Sequence, residues 1–395
     1  MKIRYPLYYE AFSCIAAECE DTCCAGWEID IDDKSYQYYM SIEGEFGDRL
    51  RRSIKGYQGD DEDVYEMHGF ILKEDKRCPF LDEKGLCELY RELGEDALCE
   101  VCTDTPRNFL EYGGEREISI SAACAEAGRL IYGREEPIVF IEKETIEEFS
   151  WEESAEERRF AHLIRTARDQ ALHILQNRKL PLTERGIHYL SFAGKVQEFL
   201  NQNEPERIRE LSWEDYQDNI IEPVQEKQSD LAEKQYRMFL ERMVTFTGMD
   251  SISQEWEEAL RQLQQLFVER EDGVSVYQEA VRRLEDELAR QKREYEYEHL
   301  MVYYVFLCQA RCVDDYDFIG RAKLAVVSFL MIRDLDAVRF AVKGSYDRAD
   351  RVDVARLYAR QIEHSENNLE YLAEEFIFEK NYTADCLREA LRAIA

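Results

Sequence analysis

Beyond residue 150 apolar side chains return about every 3.6 positions. Phe160, Leu163, Ile164, Ala167, Ala171 and Leu175 fall on one helical face, as do Ile187, Leu190, Ala193, Val196 and Leu200. Val274, Tyr277, Val281, Leu284 and Leu288 form a third stripe, with Asp and Glu on the outer faces. His299–Cys312 and Phe318–Leu335 are apolar nearly all round, which predicts central helices of a bundle. Arg351–Ile362, Leu369–Phe378 and Thr383–Ile394 complete the helical set, and Asn203-Glu204-Pro205 and Glu222-Pro223 mark helix boundaries.

The pattern before residue 140 is different. Glycines at 44, 47, 56, 59 and 69 predict a loop-rich connection between Ile42 and Phe70. Glu115–Ser121 alternates polar and apolar positions after Tyr112-Gly113-Gly114, which predicts a hairpin arm. Ala122–Ile131 then has the small apolar residues of a helix start. The expected fold is mainly α: a cysteine-rich metal module over residues 1–140 with little strand, then an all-helical, bundle-like region over 141–395.

Charge narrows the partners. The 395 residues carry 84 acidic and 51 basic side chains, a formal net charge of −33. Binding a phosphate backbone needs clustered Lys and Arg, so nucleic acid is excluded as a partner, and an anionic membrane surface with it. A cationic partner such as a lysine-bearing protein suits this surface. The longest apolar run, Leu324–Ile332 broken by Ser328, is far below the roughly 20 residues of a membrane span. The N-terminus shows no signal-peptide pattern, so a cytoplasmic location is expected. In a reducing compartment the cysteines are expected as thiols or metal ligands rather than disulfides.

Nine of the 12 cysteines lie at or before residue 124. Cys14, Cys19, Cys23 and Cys24 form a dense first group; Cys78, Cys87, Cys99 and Cys102 form a second, and Cys124 follows the predicted strand. Cys99-x2-Cys102 can turn two sulfurs toward one metal, and a proline after Cys78 is a feature of bacterial cluster-binding runs. The set favours an iron–sulfur centre over zinc, and either over inert buried thiols. Nine ligands exceed the four of one site, so one site with extra thiols and two sites both remain open. Cys19, Cys23 and Cys24 lack the spacing of radical enzymes that use S-adenosylmethionine.

These motifs carry a resemblance. Phe12-Ser13-Cys14-Ile15 and Cys19-Glu20-Asp21-Thr22-Cys23-Cys24-Ala25-Gly26-Trp27 are similar to the opening of the flagellin lysine-N-methylase family. Cys78-Pro79-Phe80-Leu81, Leu86-Cys87, Leu93-Gly94-Glu95, Leu98-Cys99-Glu100-Val101-Cys102 and Pro106-Arg107 continue it. It runs on through Ser119–Cys124 and Glu126–Leu130, covering residues 1–135; His364-Ser365-Glu366-Asn367 echoes it near the end. Thr105 stands where the family tends to have Tyr, and Ala125 where it tends to have Pro. The resemblance implies a cytosolic bacterial enzyme that moves methyl groups from S-adenosylmethionine to flagellin lysines, with a [4Fe–4S] cluster involved. Two rival functions stay open: a non-catalytic protein-binding module stabilised by zinc or a cluster, and a metal chaperone.

Lysine methylation needs a group to take or orient the ammonium proton, in a desolvated site. Asp104, Tyr112 and Glu126 flank the cysteine motifs and are the candidates, against a solvated or capping role for each. Trp27 is a candidate to stack on a cofactor, against a place in a small core. Arg107 is a candidate for the carboxylate of S-adenosylmethionine, against a structural ion pair. No glycine pair is spaced G-x-G, so the usual dinucleotide-type turn is absent. Cluster iron holding the amino and carboxylate groups of S-adenosylmethionine is the alternative mode. Cys308 and Cys312 read as buried thiols, and Asp60-Asp61-Glu62-Asp63 as a solvated run.

Overall fold

The computed structural model describes residues 1–58, 66–146, 153–216 and 228–394. Glu222-Pro223 and the acidic run at 60–63 lie outside them. The predicted helices form. Ala155–Leu175, Leu182–Asn201 and Gly273–Gln291 carry the three amphipathic stripes. Ser154 caps the first of these with a reciprocal capping box through Glu157, satisfying backbone donors that the helix start leaves open.

Tyr295–Cys308 and Phe318–Lys343 are buried on nearly every face, as their uniform apolarity predicts. Phe318–Lys343 is the axis of the bundle. It packs on Leu182–Asn201, Gly273–Gln291, Tyr295–Cys308 and Arg348–Glu363. Arg348–Glu363, Glu366–Phe378 and Ala384–Ala393 close the set. Charges inside this core are paired. Arg351 bridges Glu296 and Asp336, and Tyr297 donates to Asp336 at 2.8 Å. Such pairing is what lets an ion survive desolvation.

A four-stranded sheet sits against this bundle in the order Arg107–Tyr112, Glu115–Ile120, Lys2–Pro6, Phe140–Glu144. The predicted hairpin is present, with Tyr112 opposite Glu115 across the Gly113-Gly114 turn. The first strand runs parallel to Glu115–Ile120 and antiparallel to Phe140–Glu144. The helix expected from Ala122 begins three residues later, at Ala125. Ala122, Ala125, Ile131, Tyr132 and Ile138 pack into the large helical core.

A second, separate core is built from Ile29, Ile31, Tyr39, Leu50, Phe70, Cys78, Phe80, Leu81, Leu89 and Cys99. Here the expected loop between Ile42 and Phe70 is corrected. It holds the helix Gly44–Arg52 and the strands Ile54–Gln58 and Glu66–Phe70. Gly47 serves close packing, since a Cβ there would strike the backbone carbonyl of Ile42, and Gly56 and Gly69 lie in strands. Among the described residues no helix is long and apolar enough to cross a membrane.

Candidate functional site

The small core gathers the thiols. Cys78 and Cys99 are buried in it, and Cys24, Cys87 and Cys102 pack against it. Backbone geometry brings them together. Cys78 N–H donates to the Cys24 carbonyl at 2.9 Å, Leu81 bridges to Cys87, and Cys102 N–H donates to the Cys99 carbonyl at 3.0 Å. All 12 cysteines are free. Burial, then the neighbouring sulfurs Cys87 and Cys99, pushes the Cys78 thiol up to about 11. Its hydrogen bond with Cys99 and then burial raise Cys102, while Cys99 is lowered by that same bond. Cys124 is raised to about 11 by burial, with Cys19 and Cys23 adding to it. Thiols packed this closely cannot all ionise unless a cation offsets them, which is the donor chemistry of a thiolate-bound metal or cluster. The residues fit such a centre in kind and burial. Among the described residues no three His, Cys, Asp or Glu side chains close on one another as a metal-holding group.

The first cysteine loop is clamped to the helical region. Arg356 and Arg360 both pair with Asp21, and Arg360 also donates to the Thr22 carbonyl. Gly26, at φ +90°, approaches Ile252 so closely that a Cβ would stand 3.1 Å from its Cγ2. Trp27 Nε1 donates to the Cys23 carbonyl at 2.8 Å, and its ring lies 5.8 Å from that of His364.

Between the cysteine core and the end of the helix Arg348–Glu363 opens a cavity of about 1000 Å³. Eight of its lining residues are acidic and two are arginines, Arg107 and Arg311. His68 and His364 line it too, each with a buried Nδ1 that has no hydrogen-bond partner. Buried nitrogens without a partner are uncommon in native proteins, and an ordered water is one way they are met. Burial, then the nearby Arg360, lowers His364 to about 4, so its imidazole is neutral at pH 7.

Glu363 lies at the cavity wall. Its carboxylate accepts from Ser121 Oγ at 2.6 Å and from the Tyr303 hydroxyl at 2.9 and 3.0 Å. Tyr303 is itself held by the Ala122 N–H, 2.8 Å away. Burial raises the Glu363 carboxyl to about 7, against the lowering effect of these hydroxyl donors. It is the last residue of its helix, where the dipole also opposes negative charge. A carboxyl poised there exchanges protons at neutral pH.

Of the five residues singled out in the sequence, three line this cavity: Trp27, Asp104 and Arg107. Burial raises Asp104 above the usual carboxylate range, and Arg107 lies over the Phe12 ring at 5.3 Å. Tyr112 lies elsewhere, buried with its hydroxyl donating to Glu117 at 2.8 Å; Glu117 also pairs with Arg168. Glu126 faces Arg129, three residues on. Neither lines the cavity. Glu363 escaped notice among 84 acids. Its one signal was its place directly before His364-Ser365-Glu366-Asn367.

The fold and site define a helical protein in which a thiol-rich core and the end of a bundle helix face each other across an acidic cavity, with the raised Glu363 carboxyl on its wall. The FliB lysine N-methylase C-terminal domain matches residues 168–387, and the chain belongs to that family. That match lies on the helical region, where the motif-by-motif resemblance was thin, and it takes in Tyr303, Glu363 and His364. The chain is 28% identical over 159 residues to the lysine-N-methylase of Salmonella typhimurium, covering 37% of this chain and 36% of that protein. It is also 28% identical over 154 residues to the flagellar biosynthetic protein FliU of Salmonella muenchen, covering 38% of this chain and 87% of FliU. The match thus spans little more than a third of the length of that lysine-N-methylase. No solved structure matches the chain.

Proposed function

We propose that the protein is a protein-lysine N-methyltransferase that acts on flagellin, takes its methyl group from S-adenosylmethionine and holds a [4Fe–4S] cluster in its cysteine core. The observation that carries this reading is Glu363: a carboxyl raised to about 7, on the wall of a cavity lined by eight acids. The relatives' names, lysine-N-methylase and flagellar FliU, support the substrate class.

A lysine ammonium has no lone pair. The Glu363 carboxylate takes its proton, and the neutral amine then attacks the methyl carbon of the sulfonium donor. The new N–C bond forms as the C–S bond breaks, with the electron pair left on sulfur. The product is a methylated ammonium and a thioether, and Glu363 returns its proton to water. Ser121 and Tyr303 fix the carboxylate so that little reorganisation is needed at the moment of transfer. The wall acids suit a donor whose sulfonium and ammonium are both cationic. Arg107 and Arg311 stand for its carboxylate. Cys24, Cys78, Cys87, Cys99 and Cys102 are the thiols that would hold the cluster, and with only three of them as ligands it would leave one iron open to the donor's amino group.

The test is mass spectrometry of flagellin after incubation with anaerobically purified protein and S-adenosylmethionine. Methyl mass on lysine residues is expected. Its absence overturns the reading in favour of a binding module or metal carrier. A brown protein absorbing near ~400 nm is expected if the core holds a cluster, and a colourless zinc protein refutes that part.

A further inference from the structure

A second cavity, of about 590 Å³, shares Asn108, Arg311, Glu363 and Glu366 with the first. Helices Tyr295–Cys308, Phe318–Lys343 and Glu366–Phe378 form its walls. Its character differs from that of its neighbour. Leu324, Leu372 and Phe376 are buried in its depth, with Leu307 and Leu369 beside them. Glu366 and Glu370 are exposed at its rim, and Asp315 there is paired with Arg321. At the boundary with the first cavity stands the Glu363 carboxylate.

We infer that this second cavity is the channel for the substrate's lysine side chain, so that methyl acceptor and methyl donor reach Glu363 from different cavities. The inference rests on the reading of the protein as a lysine methyltransferase. Exposed acids at the rim attract an ammonium from water. Apolar walls take the four-methylene stem, as lysine stems are commonly buried. Losing water along those walls disfavours the ammonium and eases its deprotonation. The carboxylate that takes the proton is then at the inner end. A methyl donor with ribose hydroxyls and an amino-acid end suits the first cavity instead, which has the more acidic wall and the larger share of polar lining. Separate entry also matches the chemistry, since the amine must approach the methyl carbon opposite the departing sulfur.

Ala373 lines the second cavity, is exposed and is absent from the first, so Ala373→Trp narrows one without touching the other. Leu369→Trp is a second such variant, and circular dichroism checks that each is folded. The probes are a fluorescein-labelled flagellin peptide with one lysine, its norleucine twin, and S-adenosylmethionine. The native protein should prefer lysine to norleucine by about tenfold or more, because only lysine satisfies the acids. Each tryptophan variant should erase that preference and raise the peptide KM by about tenfold or more, while S-adenosylmethionine binds in equilibrium dialysis as before. A preference that survives both substitutions overturns the channel, as does a native protein that does not distinguish the peptides, or a loss of donor binding. If the native protein distinguishes them and the variants do not, yet no methyl moves, the channel stands and the methyltransferase reading falls. Unchanged methylation kinetics in both folded variants do the reverse.

Discussion

The core around residues 29–102 and the core of the helical bundle differ in what closes them. The bundle buries whole helices, and its internal charges are matched pair by pair, as Arg351 is with Glu296 and Asp336. The smaller core has ten buried residues, two of them cysteines, under short helices and a three-stranded sheet. A region with so little apolar burial usually needs a staple, a disulfide or a metal, to hold it. No disulfide is present, and five thiols lie in or against this core. The comparison teaches that the two regions should respond to different insults: the bundle to lost packing, the small core to changes at its thiols. Glu363 stands at the seam, where neither insult acts directly.

The largest expected effect is at that seam. Glu363→Gln should lower methyl transfer by about 10²–10⁴-fold while both cores stay folded, measured by methyl incorporation beside circular dichroism. The native rate should rise as pH passes through about 7, because Glu363 acts only as the carboxylate, and the variant should lose that limb. Stability gives an independent sign. A carboxyl raised from 4.5 to about 7 favours the folded state at low pH, and that contribution is lost as pH rises through this window. The variant should therefore gain on the native protein between pH 5 and 8, by on the order of 3 kcal/mol. A pH-independent difference would show that Glu363 is an ordinary solvated acid.

Next comes Leu300→Ala in the fully buried helix Tyr295–Cys308, which should cost about 2–5 kcal/mol in thermal or denaturant unfolding. Metal content per folded molecule should not change. If iron or zinc is lost with it, the two cores are one cooperative unit and the contrast fails. The converse experiment is Cys99→Ala. Amide exchange across residues 29–102 should quicken by about tenfold or more, while Phe318–Lys343 keeps its protection. The smallest effect concerns the surface. A net charge of −33 should make the apparent affinity for a lysine-bearing substrate fall by about two- to threefold from low to physiological salt, read as KM.

What the sequence disclosed follows from the range of the forces involved. Helices built on local periodicity were legible, from Ala155–Leu175 to Ala384–Ala393. So was the hairpin with its adjacent Gly113-Gly114 turn. The strands that need distant partners were not. Lys2–Pro6 pairs with residues 115–117 and 140–144, and nothing near Arg4 signals either neighbour. Gly47 imitated a loop residue because close packing and turns use the same residue. Trp27 and Arg107, singled out beside the cysteine motifs, line the large cavity, while Tyr112 is engaged elsewhere, by the buried Glu117–Arg168 pair. Glu363 required knowledge of what surrounds it: Ser121 and Tyr303 lie 242 and 60 positions away.

The clamp on the first cysteine loop has a consequence in time. Asp21 and its partner Arg356 are 335 positions apart. At about 5–20 residues per second, a ribosome needs roughly 20–70 s to cover that distance. Through that interval Cys19, Cys23 and Cys24 are made but not yet gripped, and the first strand waits for residue 144. The fixing of that loop is therefore a late event, completed only when nearly the whole chain has been made.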